Sequence, residues 1–399
     1  MTALSASSSP IGTPATSSAN SAPANTGGPS ATGASSGSQP EVLVSREGIG
    51  GALGRLTLNR PRSINALTTT MVETLDEALA DWANDPGVAA VLLDGAGERG
   101  LCAGGDMRAV RAAIVAGQPE DALAFWSSEY RLNARIRRFP KPYIAIMDGI
   151  VMGGGLGLSA HGDVRIVTER SVLAMPEVAI GFVPDVGGTW LLSHAPGELG
   201  THLALTGRHI GPADAITAGL ADHYLPSAEI PALLEVLRTA ADPAEAIANY
   251  NFSIHTPPPG ELAAQREWID DLYRSDNIAR IVNLLTHSVK PAARDAGAEI
   301  VTKSPTALAV TLRALRAATT MSCLEDALDQ EYRIANAALS THDLTEGIRA
   351  ALVDKDRTPR WSPARLADVT DAEVDRFFAP APTDLGLGLA AALGEVHDL

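Results

Sequence analysis

From Val42 onward, short β-branched and apolar runs alternate with stretches of helical spacing, and this alternation constrains the fold more than any other feature. The run Gly54-Arg-Leu-Thr-Leu-Asn59 alternates like a half-buried strand. Thr70 to Asn84 carries apolar residues at helical spacing, and Val88-Ala-Ala-Val-Leu-Leu93 reads as a buried strand. Tyr143 to Met147 and Val164 to Val167 continue the strand series. Gly211-Pro-Ala-Asp214 opens another helix, with Pro212 at the tolerated first-turn position and Gly219 where the helix stops. The pattern predicts an α/β core over residues 41–228. Beyond about Pro226 the strand pattern fades, so residues 229–380 are expected to form a smaller, mainly helical domain, followed by a terminal tail over 381–399.

Composition bounds the function. With 399 residues, 45% of them hydrophobic and 20% charged, the chain can bury a sizeable core and holds more than one structural unit. Residues 1–40 are almost wholly Ser, Ala, Gly, Thr and Pro without an aromatic, and are expected to be a disordered, solubilising tail. No Lys or Arg precedes Arg46, unlike the basic region of a secretion signal or the arginines of a mitochondrial transit peptide. A net charge of −16 and a pI near 5.0 speak against nucleic-acid or anionic-membrane partners, which need a broad positive field. No run of 18 apolar residues is present. Cys102 and Cys323 are too few for a disulfide framework or a four-thiolate zinc site. No metal or cofactor is expected, and a reducing cytoplasm fits. A dinucleotide fingerprint, a phosphate-binding P-loop and a zinc-protease helix are all missing, and Gly157-Leu-Ser-Ala-His161 lacks the second glycine of a nucleophile elbow.

Two glycine clusters each follow a predicted strand: Cys102-Ala-Gly-Gly-Asp106 and Met152-Gly-Gly-Gly155. Glycine there lets a substrate approach the backbone, and the free N–H groups of a first helical turn point outward as donors. Two such turns can clasp one oxyanion, each donor contributing about 3–4 kcal/mol to the transition state. For either cluster alone, close helix packing explains the glycines equally well; the pair is harder to dismiss.

Three acids stand out. Glu177 and Asp185 lie among apolar residues and prolines in Ala174-Met-Pro-Glu-Val-Ala-Ile-Gly-Phe-Val-Pro-Asp-Val-Gly-Gly188. A carboxylate in such a setting is paired or has its pKa raised toward the range useful for acid, base or nucleophilic work. A helix cap or salt-bridge partner is the competing reading. Glu129 interrupts the apolar stripe of Ala122, Phe125, Leu132, Ile136 and Phe139, a position costly for a carboxylate unless it serves a site or meets a partner. The same helix bears Arg131, Arg135 and Arg138, with Arg137 and Lys141 nearby, a basic face open to phosphates or simply solvated.

These residues resemble the crotonase, or enoyl-CoA hydratase/isomerase, superfamily, and within it the 3-hydroxyisobutyryl-CoA hydrolase branch. The resemblance covers roughly residues 41–380 and rests on Leu58-Asn-Arg-Pro-Arg-Ser-Ile-Asn-Ala-Leu67, Leu101-Cys-Ala-Gly-Gly-Asp-Met-Arg108, Met152-Gly-Gly-Gly-Leu-Gly-Leu-Ser159, the Glu177 to Gly188 segment and Ala204-Leu-Thr-Gly207. Late in the chain Glu331-Tyr-Arg333, His342-Asp-Leu-Thr-Glu-Gly-Ile-Arg349, Asp354-Lys-Asp356 and Pro359-Arg-Trp361 continue it. It implies a spiral of ββα units, an acyl-CoA in a groove under C-terminal helices, and an oxyanion hole from the N–H groups of Gly105 and Gly154. It also implies a role in valine catabolism and often an oligomer. Hydratases of the superfamily place a second glutamate three residues after the second oxyanion glycine, where this chain has Gly157. Glu177 is then expected to attack the thioester carbonyl or deprotonate water. Asp185 is expected to hold the β-hydroxyl or manage a proton, Glu129 to line the acyl pocket, Asp106 to join the substrate contacts, and Cys102 only to pack. Two other readings stay open: an enoyl-CoA hydratase or isomerase, and an inert acyl-CoA binding protein.

Overall fold

Six strands build the main sheet of the computed structural model, which describes residues 39–381 and 383–388. Residues 1–38 of the low-complexity segment, and 382 and 389–399 of the terminal tail, lie outside the described residues. β1 (Val42–Glu47) pairs antiparallel with β2 (Leu53–Leu58). β3 (Ala90–Gly95), β4 (Tyr143–Met147), β6 (Val164–Val167) and β8 (His223–Tyr224) extend the sheet in parallel. All five residues of β4 are buried. This is why its sequence is a continuous apolar run: a parallel strand covered on both faces has no side to leave polar. The sequence-predicted strands fall within two residues of these bounds, and α1 (Thr69–Ala83) within one.

Two of the parallel strands lead into a second, short strand before the chain turns helical. β4 continues into β5 (Ile150–Met152) and β6 into β7 (Val172–Ala174), and β5 and β7 pair in parallel as a separate small sheet. The chain after β3 joins this layer by single bridges, Cys102 to Val151 and Gly105 to Leu67, then starts α2 (Met107–Val115). A strand, a second strand and a helix therefore recur along the chain, giving the spiral of ββα units. The repetition delivers every post-strand loop to the carboxyl end of the parallel sheet, the edge at which α/β folds bind ligands.

Beyond the sheet lie α3 (Pro119–Arg137), α4 (Gly154–Ser159) and α5 (Gly188–Ser193), and the C-terminal helices share their apolar core. Leu324–Ala338 packs on α3 and Pro305–Ala318 on α5. His342–Ile348 lies backbone to backbone on the turn Glu177–Ile180. A Cβ on Gly347 would overlap the Ile180 backbone, and one on Gly181, at φ 74, would overlap the Asp343 carbonyl. From Pro40 on, the described residues form one contact unit.

Candidate active site

The two glycine clusters meet in this layer. Leu67 N–H donates to Gly104 O at 2.9 Å and Asp106 N–H donates to Leu67 O at 2.9 Å, the pattern of a parallel bridge centred on Gly105. In such a bridge the N–H of the central residue points to the opposite side. On that side stands the start of α4. Gly153 turns the chain at φ 47, and the N–H groups of Leu156 and Gly157 return to Gly153 O at 2.8 and 3.2 Å. The Gly154 N–H heads the helix without an intrahelical carbonyl. The two peptides are near neighbours: a Cβ on Gly154 would lie 3.3 Å from the Gly105 nitrogen. Two converging donors of this kind can hold a single oxyanion.

Both glycines line a cavity of about 340 Å³ together with Glu129, Glu177 and Asp185. Its apolar wall comes from Phe125, Trp126 and Phe182, with the Trp126 and Phe182 rings stacked at 5.1 Å. A widened helical turn, Arg349–Val353, supplies Ala351 and Leu352. Glu129 reaches in from α3 with its Oε1 against Gly154 and without a hydrogen-bond partner. Glu177 opens the turn Glu177–Ile180 and sets one carboxylate oxygen against Gly153, while its Oε2 has no partner. Asp185 accepts a hydrogen bond from Tyr130 OH at 2.8 Å.

Burial is the first cause of what these acids do. It pushes Glu177 well above the usual carboxylate range, and the neighbouring charges of Asp185, Glu331 and Glu129 push it further. Glu129 is raised by burial and by Asp185. Asp185 is pushed up to about 7 by burial, against the lowering pull of the Tyr130 hydroxyl. Carboxyls this close cannot all be ionised at neutral pH, so the cavity holds protons among them. Such a cluster can present one group as an acid while another acts as base or nucleophile.

Other sequence-selected residues lie elsewhere. Asp106 is not brought into this cavity: it caps α2 through Ala109 N–H, sits 3.6 Å from Arg60, and lines a neighbouring cavity with Thr68 and Thr69. Cys102 is buried with its Sγ 3.2 Å from Asn65 O, and burial pushes its thiol up to about 12. The basic face is largely spent on the fold. Arg135 pairs with Asp76, Arg138 with Glu325, Arg131 donates to Leu385 O, and Lys141 donates to the carbonyls of Trp82 and Asp85. At Gly157 a Cβ would meet Val186 Cβ at 2.6 Å and Asn133 Nδ2 at 2.9 Å, so the direction in which a second glutamate would project is filled. Sequence reasoning missed Tyr130, Val186, Ala351 and Leu352. Tyr130 adjoins Glu129, but nothing local shows that its partner lies 55 residues away.

A family model described as enoyl-CoA hydratase/isomerase matches residues 53–378. The mitochondrial 3-hydroxyisobutyryl-CoA hydrolase of Gallus gallus is 40% identical over 352 residues, covering 86% of this chain and 90% of that protein. The Homo sapiens protein of the same name is 37% identical, covering 85% and 88%. A crystal structure described as a carnitinyl-CoA dehydratase from Mycobacterium thermoresistibile is 52% identical with a TM-score of 0.82, covering 87% of this chain and 98% of that one. One described as an enoyl-CoA hydratase from Rhodobacter sphaeroides is 42% identical with a TM-score of 0.80, covering 86% and 99%.

Proposed function

This chain belongs to the enoyl-CoA hydratase/isomerase family, and from that premise we propose that it hydrolyses a β-hydroxyacyl-CoA thioester, with 3-hydroxyisobutyryl-CoA as substrate. One observation carries the choice of reaction: Glu177, Asp185 and Glu129 converge on the two glycine peptides, while the side of Gly157 is closed by Val186 and Asn133.

In this reading the thioester oxygen sits between the Gly105 and Gly154 N–H groups. They hold the tetrahedral oxyanion more tightly than the ground-state carbonyl, and that difference accelerates the step. The Glu177 carboxylate, whose Oε2 has no protein partner, adds to the carbonyl carbon. The C–S bond then breaks, its electron pair leaving on sulfur, which takes up the proton held on Asp185; water then adds to the anhydride, giving one proton back to Asp185 and freeing the acid product and the Glu177 carboxylate. Alternatively Glu177 removes a proton from water as the water oxygen adds. Asp185, held by Tyr130, manages the proton or binds the β-hydroxyl. No cofactor takes part, and the cytoplasmic location and the place in valine catabolism belong to the same proposal.

A second reading, hydration or dehydration at the acyl α,β-bond, is favoured by the description of the 52%-identical structure and by Glu129, which puts a second carboxyl at the hole from α3 rather than α4. Thiol release separates the two. It is measured on 3-hydroxyisobutyryl-CoA, 3-hydroxypropionyl-CoA and acetyl-CoA, with crotonyl-CoA hydration followed by loss of enoyl absorbance. Thiol released preferentially from the β-hydroxy thioesters supports hydrolysis; enoyl turnover without thiol release overturns it.

A further inference from the structure

The turn that carries Asp185 is held in an unfavourable conformation. Val186 has φ 53, in the left-handed region that a β-branched residue strongly avoids, and Gly187 follows at φ 79. Such a turn persists only where its surroundings over-determine it. Three buried groups from outside the turn do so. Tyr130 OH donates to Asp185, and His161, kept neutral because burial lowers its pKa to about 4, donates Nε2–H to Val186 O at 2.8 Å.

The third is Glu331, on the helix Leu324–Ala338. Its side chain is fully buried and does not line the cavity. One carboxylate oxygen accepts Gly187 N–H at 2.7 Å; the other accepts both Thr189 N–H, at 2.9 Å, and the Thr189 hydroxyl. No ion pair among the described residues includes it, and burial pushes it up to about 8 against the lowering pull of Thr189 and Gly187, so these hydrogen bonds are what holds the carboxyl in place. The two main-chain N–H groups, one at each oxygen, require an acceptor on both sides. An amide of equal size would turn an N–H against an N–H on one side.

We propose that Glu331 is a positioning residue of the hydrolytic site: its carboxylate fixes the turn Val186–Thr189 so that Asp185 stays against Tyr130 and faces the thioester. The inference rests on the role given to Asp185 above, and the test separates the two.

Full-length Glu331→Gln, Asp185→Asn and the double variant are compared for kcat and KM in thiol release from 3-hydroxyisobutyryl-CoA, well below each melting temperature. Glu331→Gln is expected to lose on the order of 10- to 100-fold in kcat, as a small displacement of a reacting group does, with KM within about threefold. On the Asp185→Asn background the same change costs no more than about threefold, because nothing remains for Glu331 to position. Unchanged kcat in Glu331→Gln while Asp185→Asn is impaired overturns the inference alone. So do losses that multiply in the double variant, the signature of a merely structural part. Full turnover in Asp185→Asn instead sinks the role of Asp185 and the inference with it. Should Glu331→Gln not fold, Thr189→Val removes one donor from the same carboxylate. It should lower kcat severalfold, again only when Asp185 is present, and unchanged kcat there overturns the inference equally.

Discussion

Gly154→Ala tests the oxyanion hole with the smallest possible change. Gly154 does not have a positive φ, so alanine meets no backbone penalty and any effect is steric. The new methyl would overlap Glu129 Oε1, stand 3.0 Å from Leu67 Cδ1, and lie 3.3 Å from the Gly105 nitrogen, inside the space a thioester oxygen needs to reach both N–H groups. Losing one donor of such a pair costs about 2.7–4 kcal/mol, a fall of 10²–10³ in kcat. Overpacking a buried site costs about 1–3 kcal/mol of stability, so the melting temperature should drop by only a few degrees and the variant should be folded at 25 °C. The assay is steady-state thiol release from 3-hydroxyisobutyryl-CoA, paired with a melting curve. If the variant keeps kcat within about threefold while the melting curve shows the strain, the methyl was accommodated, the oxygen does not sit between these peptides, and the reasoning is refuted.

Four further outcomes are expected. Glu177→Gln should lose at least about 10³-fold in kcat, since neither a nucleophile nor a base survives; turnover near that of the parent would show that another group does the chemistry. Because burial and neighbouring charge raise the Glu177 pKa, kcat/KM should fall as the pH is lowered, starting well above the usual carboxylate range, and a profile flat from pH 5 to 8 would contradict a reacting Glu177 carboxylate. The folded chain binds a proton at Asp185 up to about pH 7 that the unfolded chain releases near 3.8, so this group takes away stability as pH rises through that window. The size is at most about 4 kcal/mol at 1.36 kcal/mol per pH unit, and Asp185→Asn should therefore raise the melting temperature more at pH 8 than at pH 5. Leu352→Ala should widen the cavity and raise kcat/KM for longer β-hydroxyacyl thioesters relative to the four-carbon one by roughly tenfold or more; an unchanged ratio would mean that Leu352 does not bound the acyl chain.

The α/β layer was legible because its signals are local. β4 reads directly as a buried run, α1 shows in the helical spacing of Thr70 to Asn84, and the glycine clusters sit where strands give way to helices. The acids were legible because a carboxylate in an apolar stripe is costly wherever it is placed, which singled out Glu129 without any partner in view. What escaped depends on pairings between distant segments. β5 and β7 have three residues each, too short for a period to show, yet with the bridges at Cys102 and Gly105 they form the layer that joins the two glycine clusters. Asp106 illustrates the converse. The family resemblance put it among the substrate contacts, but a carboxylate just before α2 finds the free N–H of Ala109.

The late helices explain why the chemistry cannot be assigned to the glycine-rich core alone. The turn bearing Glu177 is pressed by Gly347 at backbone contact, the turn bearing Asp185 is bound by Glu331, and the cavity is closed by Ala351 and Leu352, whose backbone is tied to α2 by Arg108 donating to Leu352 O at 3.1 Å. Gly181 and Gly347 permit that approach only because neither carries a Cβ, so His342–Ile348 and the Glu177 turn pack backbone to backbone. The C-terminal cover thus bounds the cavity at the two glycine peptides. From the cover only Ala351 and Leu352 line that cavity, but its helices hold the turns on which Glu177 and Asp185 stand.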